Sequence, residues 1–208
     1  MAPWIIPREL TGRTVAVLGC GKTMSAVVVE SLRVAGVAMI AVNRSYELAP
    51  DAWALYAADA TWWQQTPEAR HFGGHRVSCE MVPGVRRLHN AGSEGWSEDR
   101  DCVHTYGNSG AQAIQVAVKA GASRVLLCGM DMRGGHWHPE HVEPLRQTPR
   151  STYERWVIQM GALARYMRGR AEIINCTPGS AIAAFPFASL RDALLPEVTH
   201  GRSADWRE

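Results

Sequence analysis

The sequence predicts an α/β fold, a Rossmann-like three-layer sandwich with a mostly parallel sheet. Three predominantly apolar runs, at residues 13–19, 37–43 and 124–129, have the length and character of buried strands. Segments with helical spacing of apolar residues, at 22–35 and 109–120, precede two of those runs. Because parallel strands need a crossover connection, which is usually a helix, this alternation predicts a parallel sheet covered by helices.

Composition predicts a single domain over residues 1–208, because a chain of that length with 46% apolar residues can bury a full core. The 22 basic and 20 acidic residues leave a net charge of +2, so bulk charge does not indicate nucleic-acid binding. No apolar run approaches the roughly 20 residues of a membrane span, and the first residues lack a secretion signal. The five cysteines form no Cys-x-x-Cys pair, which is typical of reduced thiols in a cytoplasmic protein.

The remaining segments continue the alternation less clearly. Residues 82–101 contain glycines and charges without a period, so we expect a long functional or mobile loop there, and we expect a frayed tail at 198–208. In chain order the further predicted elements are a short strand at 53–59, a helical turn at 60–65, a strand at 76–80, a helix at 152–167 and a strand at 171–175.

Ligands of open parallel sheets bind beyond the carboxyl ends of the strands, and the first such end is a glycine turn. It consists of Gly19, Cys20, Gly21 and Lys22. A P-loop is excluded because Ala16 stands where its first glycine belongs, and the dinucleotide fingerprint fails at Met24. A Gly-x-Gly turn that leads into a helix still predicts amides that could bind a phosphate or carboxylate. A tight turn without a ligand is the alternative.

Two further positions carry polar groups suited to a nucleotide. Asn43 ends the second strand and could donate to and accept from a base or sugar, while Arg44 could neutralise phosphate. Asn108, Ser109 and Gly110 open the helix at 109–120, where they either cap the helix or let a ligand approach its amides. For Asn43 and Arg44 the alternative is a turn with a solvated arginine.

The fourth position is a histidine-rich loop after the strand at 124–129. His136, His138 and His141 lie within six residues of one another, and Asp131 precedes them. Zinc binding, a general acid or base, and surface histidines are the three interpretations. Because no distant cysteine or histidine pair completes a zinc site by spacing, we predict no metal site. Asp131 could ligate a metal, accept from a sugar hydroxyl or anchor the loop.

Taken in order, these motifs resemble one superfamily: the bacterial sialyltransferase-like glycosyltransferases of the Campylobacter type and the archaeal 6-hydroxymethylpterin pyrophosphokinase-like proteins. The compact chain is also similar to small members of that superfamily encoded by bacterial viruses. The resemblance covers roughly residues 13 to 190. It rests on Gly19-Cys-Gly21, Asn43, Asn108-Ser109-Gly110, Gly129-Met-Asp131, the histidines at 136–141 and Cys176-Thr-Pro-Gly-Ser180.

The resemblance to the sialyltransferase branch implies a nucleotide-sugar donor of the CMP or UDP type and no required cofactor. It implies that the glycine turn, Asn43 and the start of the helix at 109–120 hold the donor. It also implies that a histidine, one of the three at 136–141, is the general base for the acceptor hydroxyl. The chain departs from that branch at Cys20 and Lys22, where the family has Asn and Pro.

We therefore expect a transferase that moves a glycosyl group from a nucleotide-activated donor to a hydroxyl, without a nucleic-acid partner. The alternatives are an ATP- and Mg²⁺-dependent pyrophosphokinase-like enzyme, in which Asp131 and Asp59 would serve the metal, and a non-catalytic protein that sequesters a nucleotide. A homo-oligomer remains compatible with each of these expectations.

Overall fold

The structure, a computed structural model, describes residues 3–139 and 148–195. Its main feature is a sheet of seven strands, all of them parallel to their neighbours. The order across the sheet is β5-β4-β3-β2-β1-β8-β9, and a separate parallel pair is formed by β6 and β7. The strands are β1 Thr14–Leu18, β2 Ala38–Val42, β3 Ala54–Tyr56, β4 His75–Ser78, β5 Arg86–Arg87, β6 His89–Asn90, β7 Cys102–Val103, β8 Arg124–Cys128 and β9 Glu172–Asn175.

Helices cover both faces of this sheet. They are α1 Ala26–Val34, α2 Ala60–Gln65, α3 Ser109–Lys119, α4 Arg150–Met167 and α5 Leu190–Leu194, with short 3-10 helices at Asn43–Glu47 and Pro67–His71. In the described ranges, no helix combines the length and the apolar character that a membrane crossing needs.

The core consists of two apolar layers, one on each face, because successive strand residues point in opposite directions. In β1, Val15 and Val17 pack in the layer under α3 and α4, while Ala16 and Leu18 pack in the layer under α1, α2 and α5. The same alternation holds in β2 and β8. The predicted three-layer fold with a parallel sheet is thus confirmed.

The sheet order reverses between β1 and β8. From β1 the chain adds β2 to β5 on one side, and it then returns to add β8 and β9 on the other side. Strand β1 pairs with β8 over its whole length, from Thr14 opposite Arg124 to Leu18 opposite Cys128. In open parallel sheets such a reversal, at the carboxyl ends of the strands, is where a ligand crevice forms.

The turns that follow β1 and β8 pack directly on each other. We call residues 19–21 the β1 turn and residues 129–131 the β8 turn. Gly19 N–H donates to Cys128 O and Gly21 N–H donates to Gly129 O, both at 2.8 Å. A Cβ at Gly19 would lie 2.5 Å from Gly129 O, and one at Gly21 would overlap the Asp131 carboxylate. Only glycines allow this approach.

Three predicted boundaries were wrong. Helix α1 begins at Ala26 and not at residue 22, because residues 19–25 form the β1 turn and its continuation toward the helix. Strand β3 is shorter than the predicted 53–59. The predicted loop at 82–101 contains the short strands β5 and β6. The expected frayed tail at 198–208 lies outside the described residues.

A buried lysine holds the second half of that predicted loop. Lys119, on α3, is only 5% exposed, and its ammonium group donates to the carbonyls of Ser97 and Asp99. The same ammonium lies 4.5 Å from the centre of the Trp96 ring, and the Cζ atom of Arg170 lies 5.1 Å from that centre. These contacts attach residues 96–99 to α3, so this part of the segment that we expected to be a functional or mobile loop is anchored to the fold.

We expect Gly129→Ala to destabilise the protein far more than Gly36→Ala. Both glycines have a left-handed φ, 67° and 65°, so the backbone strain of about 1 kcal/mol is common to both variants. At Gly36 a Cβ would meet nothing within 4 Å, whereas at Gly129 it would lie 2.7 Å from Gly19 O. Urea unfolding should therefore show losses of about 1 and about 3 kcal/mol, respectively. Equal losses would contradict the close packing of the two turns.

Candidate active site

A cleft of about 680 Å³ opens at the carboxyl edge of the sheet, above the reversal between β1 and β8. It extends across the ends of β4, β3, β2, β1 and β8 and reaches the start of α3 and one side of α4. The predicted site residues that line it are Gly19, Cys20, Gly21, Asn43, Asn108, Ser109, Gly110, Asp131 and His136. Lys22, Arg44 and His138 do not line it, and His141 lies outside the described residues.

The β1 turn offers fewer amides than the sequence predicted. The N–H groups of both its glycines donate to β8 and the β8 turn, so they are not available to a ligand. The N–H group of Cys20, between them, has no acceptor within the described part of the chain. The glycines are therefore needed for packing between strand ends, and a single amide of the turn remains for a ligand.

The Cys20 side chain ties the β1 turn to the end of β2. Its Sγ lies 3.1 Å from Val42 O and 3.3 Å from Ser45 Oγ, and Ser45 Oγ donates to Gly19 O at 2.7 Å. Burial raises the pKa of the Cys20 thiol, so at neutral pH it is a neutral donor to the Val42 carbonyl and not a nucleophilic thiolate. This bridge holds the segment from which Asn43 projects.

Asn43 is positioned by an unusual backbone conformation. Its φ is 49°, in the left-handed region that asparagine tolerates better than most residues, and it begins the 3-10 helix Asn43–Glu47. Its side-chain amide lines the cleft and has no hydrogen-bond partner within residues 3–139 and 148–195. The amide is therefore available both to donate to and to accept from a ligand.

Two basic residues that the sequence assigned to nucleotide binding, Arg44 and Lys22, do not line the cleft. Arg44 forms an ion pair with Glu47, three residues later, with Nε 2.6 Å from Oε1. The Lys22 side chain packs against Gly135, just before the first histidine of the histidine-rich loop. The assignment of Arg44 and Lys22 to nucleotide binding is not supported by these positions, because neither side chain lines the cleft.

The start of α3 combines helix capping with open amides. Asn108 Oδ1 accepts from Ala111 N–H at 3.1 Å, which makes it the N-cap, and Ser109 Oγ accepts from Ala58 N–H at 3.3 Å. A Cβ at Gly110 would lie 3.0 Å from Met130 Cε, so this glycine allows the helix to pack on the β8 turn. The N–H groups of Ser109 and Gly110 have no intrahelical acceptor and lie at the positive end of the helix dipole.

Asp131 serves at least as an anchor of the β8 turn. Its carboxylate accepts from the Thr23 hydroxyl at 2.9 Å and from Thr23 N–H at 3.3 Å, and its backbone carbonyl accepts from Ala181 N–H at 2.9 Å. Of the three interpretations that the sequence left open, the contacts support the anchor. In the described ranges, no three His, Cys, Asp or Glu side chains are grouped closely enough to hold a metal ion.

Two of the three histidines form a stacked pair. The rings of His136 and His138 are 4.8 Å apart and 11° from parallel, and His136 is the one that lines the cleft. His138 is buried, with Nδ1 2.7 Å from Pro139 O, and burial lowers its pKa. His136 is therefore the described histidine placed to act on a ligand, and His138 packs behind it.

The cleft also has residues that the sequence interpretation did not assign to donor or acceptor binding. Glu80 follows β4, and Trp62 and Asp59 stand at the start of α2. Tyr153 and Trp156 project from α4, with ring centres 5.3 Å apart in an edge-to-face arrangement. Tyr153 and Trp156 are three residues apart in the sequence, and this spacing places two side chains on the same face of a helix.

No protein-family model matches this sequence, and no curated protein matches it. Among solved structures, the MAf glycosyltransferase from Magnetospirillum magneticum AMB-1 has a similar fold, with a TM-score of 0.58 and 14% sequence identity. The match covers 90% of this chain and 35% of that chain, so this protein spans about a third of its structural neighbour. The likeness shows that this α/β fold occurs in a glycosyltransferase.

Asn108→Ala should cost about 1 kcal/mol of stability, because it removes the acceptor for the Ala111 N–H group at the start of α3. Asn43→Gly should change stability by less than about 0.5 kcal/mol, since the side chain has no hydrogen-bond partner in the described part of the chain and glycine tolerates the φ of 49°. Urea unfolding of the two variants measures the difference. A larger loss of unfolding free energy for Asn43→Gly than for Asn108→Ala would contradict the assignment of Asn108 as the helix cap and of Asn43 as a side chain without a structural role.

Proposed function

We propose that the cleft binds a nucleotide-activated sugar and that the protein transfers the glycosyl group to an acceptor hydroxyl. The observation that carries this proposal is the convergence of four groups in one cleft: the Asn43 amide, the Cys20 N–H group, the first amides of α3 and the His136 imidazole. The occurrence of the same fold in a glycosyltransferase supports the reaction class.

Donor binding would centre on the start of α3. The N–H groups of Ser109 and Gly110, which have no acceptor among the described residues, favour a phosphate there over any cationic group, as does the helix dipole. Asn43 lies at the end of β2, beside the β1 turn, where its amide can bind the sugar or base next to that phosphate. Binding would therefore depend on amides, which agrees with the positions of Lys22 and Arg44 outside the cleft.

The chemical step assigned to this cleft is a displacement at the anomeric carbon. The acceptor oxygen forms a bond to that carbon while the bond from the carbon to the donor phosphate oxygen breaks. The phosphate leaves with the electron pair, and a ring nitrogen of His136 takes the acceptor proton. Amides at the start of α3 stabilise the negative charge that develops on the leaving phosphate. No metal is needed for these steps, and the donor is a substrate.

The pyrophosphokinase-like alternative has one observation in its favour. Asp59, Glu80 and Asp131 all line the cleft, and carboxylates are the side chains that Mg²⁺ prefers. Within the described residues, however, no three such side chains are grouped closely enough to hold the ion without ligands from the substrate. Such an enzyme would need ATP and Mg²⁺ together, whereas the glycosyl-transfer proposal predicts binding of a pyrimidine nucleotide without metal. A sequestering protein would bind the nucleotide and show no turnover.

We expect CMP or UDP to raise the unfolding temperature in the presence of EDTA, because a ligand of the folded state stabilises it by mass action. Asn43→Gly should weaken that nucleotide about tenfold by calorimetric titration, since one polar ligand contact is lost. Asn90→Ala is a matched control at the cleft wall, where Asn90 Oδ1 already accepts from Gly92 N–H.

Stabilisation by ATP only when Mg²⁺ is present would favour the pyrophosphokinase-like alternative instead. Equal affinities of the wild type and Asn43→Gly would remove Asn43 from the donor site.

His136→Ala should lower turnover by about 10² to 10⁴ while the donor affinity stays within about twofold of the wild type. Steady-state kinetics with a hydroxyl acceptor provide the test. His71→Ala is the control, since His71 is exposed and lies away from the cleft. An unchanged rate in His136→Ala would exclude this residue as the base.

A further inference from the structure

Two aromatic side chains form a corner in the wall of the cleft, on its α4 side. Tyr153 and Trp156 both line the cleft, and both are partly exposed. Their ring centres are 5.3 Å apart and their planes meet at 84°, so the two rings stand nearly at right angles. We call this pair the aromatic corner. The Trp156 Nε1 atom is buried, so a ligand can reach the carbon surface of the indole but not its N–H group.

The aromatic corner lies between the groups to which the proposed function assigns the chemistry. On one side, a Cβ at Gly134 would lie 3.6 Å from Tyr153 Cε2, and His136 follows two residues later. On the other side, a Cβ at Gly107 would lie 3.6 Å from Trp156 Nε1, and α3 begins two residues later. Because both of these neighbours are glycines, neither has a side chain that covers the rings. A sugar that reacts between the histidine and the phosphate must lie beside this corner.

A pyranose ring is the part of a glycosyl donor or acceptor that matches this surface. One face of a common hexose presents C–H groups, which pack on the negative face of an aromatic ring, while the hydroxyls at its rim remain free for hydrogen bonds. Burial raises the pKa of Tyr153, so its hydroxyl stays neutral at physiological pH and the corner carries no charge. A nucleobase also stacks on aromatic rings, but in a nucleotide sugar it lies beyond the phosphate, away from His136.

The charged groups of the cleft disfavour a sugar that is itself an anion. Among the residues that the structure describes, no lysine or arginine lines the cleft, whereas Asp59, Glu80 and Asp131 do. The amides at the start of α3 are assigned to the donor phosphate. A carboxylate on the sugar, as in a uronic acid or a sialic acid, would therefore lack a counter-ion and would be repelled by the carboxylates of the cleft.

We propose that the aromatic corner binds an uncharged pyranose ring, so that the protein acts on neutral hexoses and discriminates against sugars that carry a carboxylate. The ring belongs either to the glycosyl group of the donor or to the acceptor, since the two meet at the reacting carbon. This inference rests on the proposed function, because it places the sugar between the donor phosphate and His136. It adds the class of sugar, and it separates this protein from the sialyltransferases that its motifs resemble.

Calorimetric titration in EDTA tests both sources of the ring. In the donor arm, UDP is compared with UDP-glucose and UDP-glucuronic acid, with the galacto forms of both, and CMP is compared with CMP-N-acetylneuraminic acid. In the acceptor arm, methyl β-glucoside and methyl β-glucuronide, with their galacto forms, are added to the protein saturated with whichever nucleotide binds.

The two arms identify which substrate supplies the ring. In at least one of them, we expect the neutral sugar to bind about tenfold more tightly than its carboxylate counterpart, and CMP-N-acetylneuraminic acid should bind no more tightly than CMP. A preference in the donor arm assigns the ring to the glycosyl group, and a preference in the acceptor arm assigns it to the acceptor.

Variants of Trp156 test the aromatic surface itself. Trp156→Leu should lower the affinity for the neutral sugar about tenfold, while the affinity for the bare nucleotide stays within about twofold and shows that the cleft is intact. Trp156→Phe keeps an aromatic face and should retain the sugar affinity within about threefold. Tyr166→Leu, which removes an exposed ring of α4 outside the cleft, should behave as the wild type.

The outcomes separate this inference from the proposed function. A nucleotide that binds without a preference for neutral sugars in either arm would overturn the pyranose subsite and leave the nucleotide-binding cleft. So would an unchanged sugar affinity in Trp156→Leu, or equal losses in Trp156→Leu and Trp156→Phe, which would assign the effect to packing and not to an aromatic face. No binding of UDP, CMP or any of their sugars would overturn both proposals.

Discussion

The cleft depends on the contact between the turns that follow β1 and β8. Gly19 and Gly129 approach so closely that a Cβ on either would lie within 2.7 Å of the other's carbonyl oxygen. Two backbone hydrogen bonds and the link from Thr23 to Asp131 then fasten the turns together. Because the sheet order reverses at this point, the turns form a continuous floor of the cleft between the two halves of the sheet.

The other parts of the site are held to this floor by polar contacts. Cys20 and Ser45 attach the end of β2, and Gly110 lets α3 pack on the β8 turn. The result is a cleft with a hydrogen-bonding centre, an acidic end over β3 and β4, and an end with His136 near β8. Such a gradient suits a ligand with a phosphate in its middle and different groups on either side of it.

Local patterns predicted the fold well because apolar runs and helical spacing report directly on burial. They predicted the site less well because its chemistry depends on distant partners. The glycines of the β1 turn were interpreted as sources of free amides, but their partner turn lies more than 100 residues further along, as Thr23 and Asp131, 108 residues apart, illustrate. The pairing of Arg44 with Glu47, by contrast, is a local spacing of three residues that the sequence already contained. No local signal pointed to the Lys119 anchor.

The central claim is that a nucleotide binds on the floor formed by these two turns. A crystal structure of the protein with CMP or UDP tests it most directly. We expect the phosphate within hydrogen-bond distance of the Ser109 or Gly110 N–H groups, with its open end toward His136. A nucleotide bound outside this cleft, or one whose phosphate lies away from the start of α3, would contradict it.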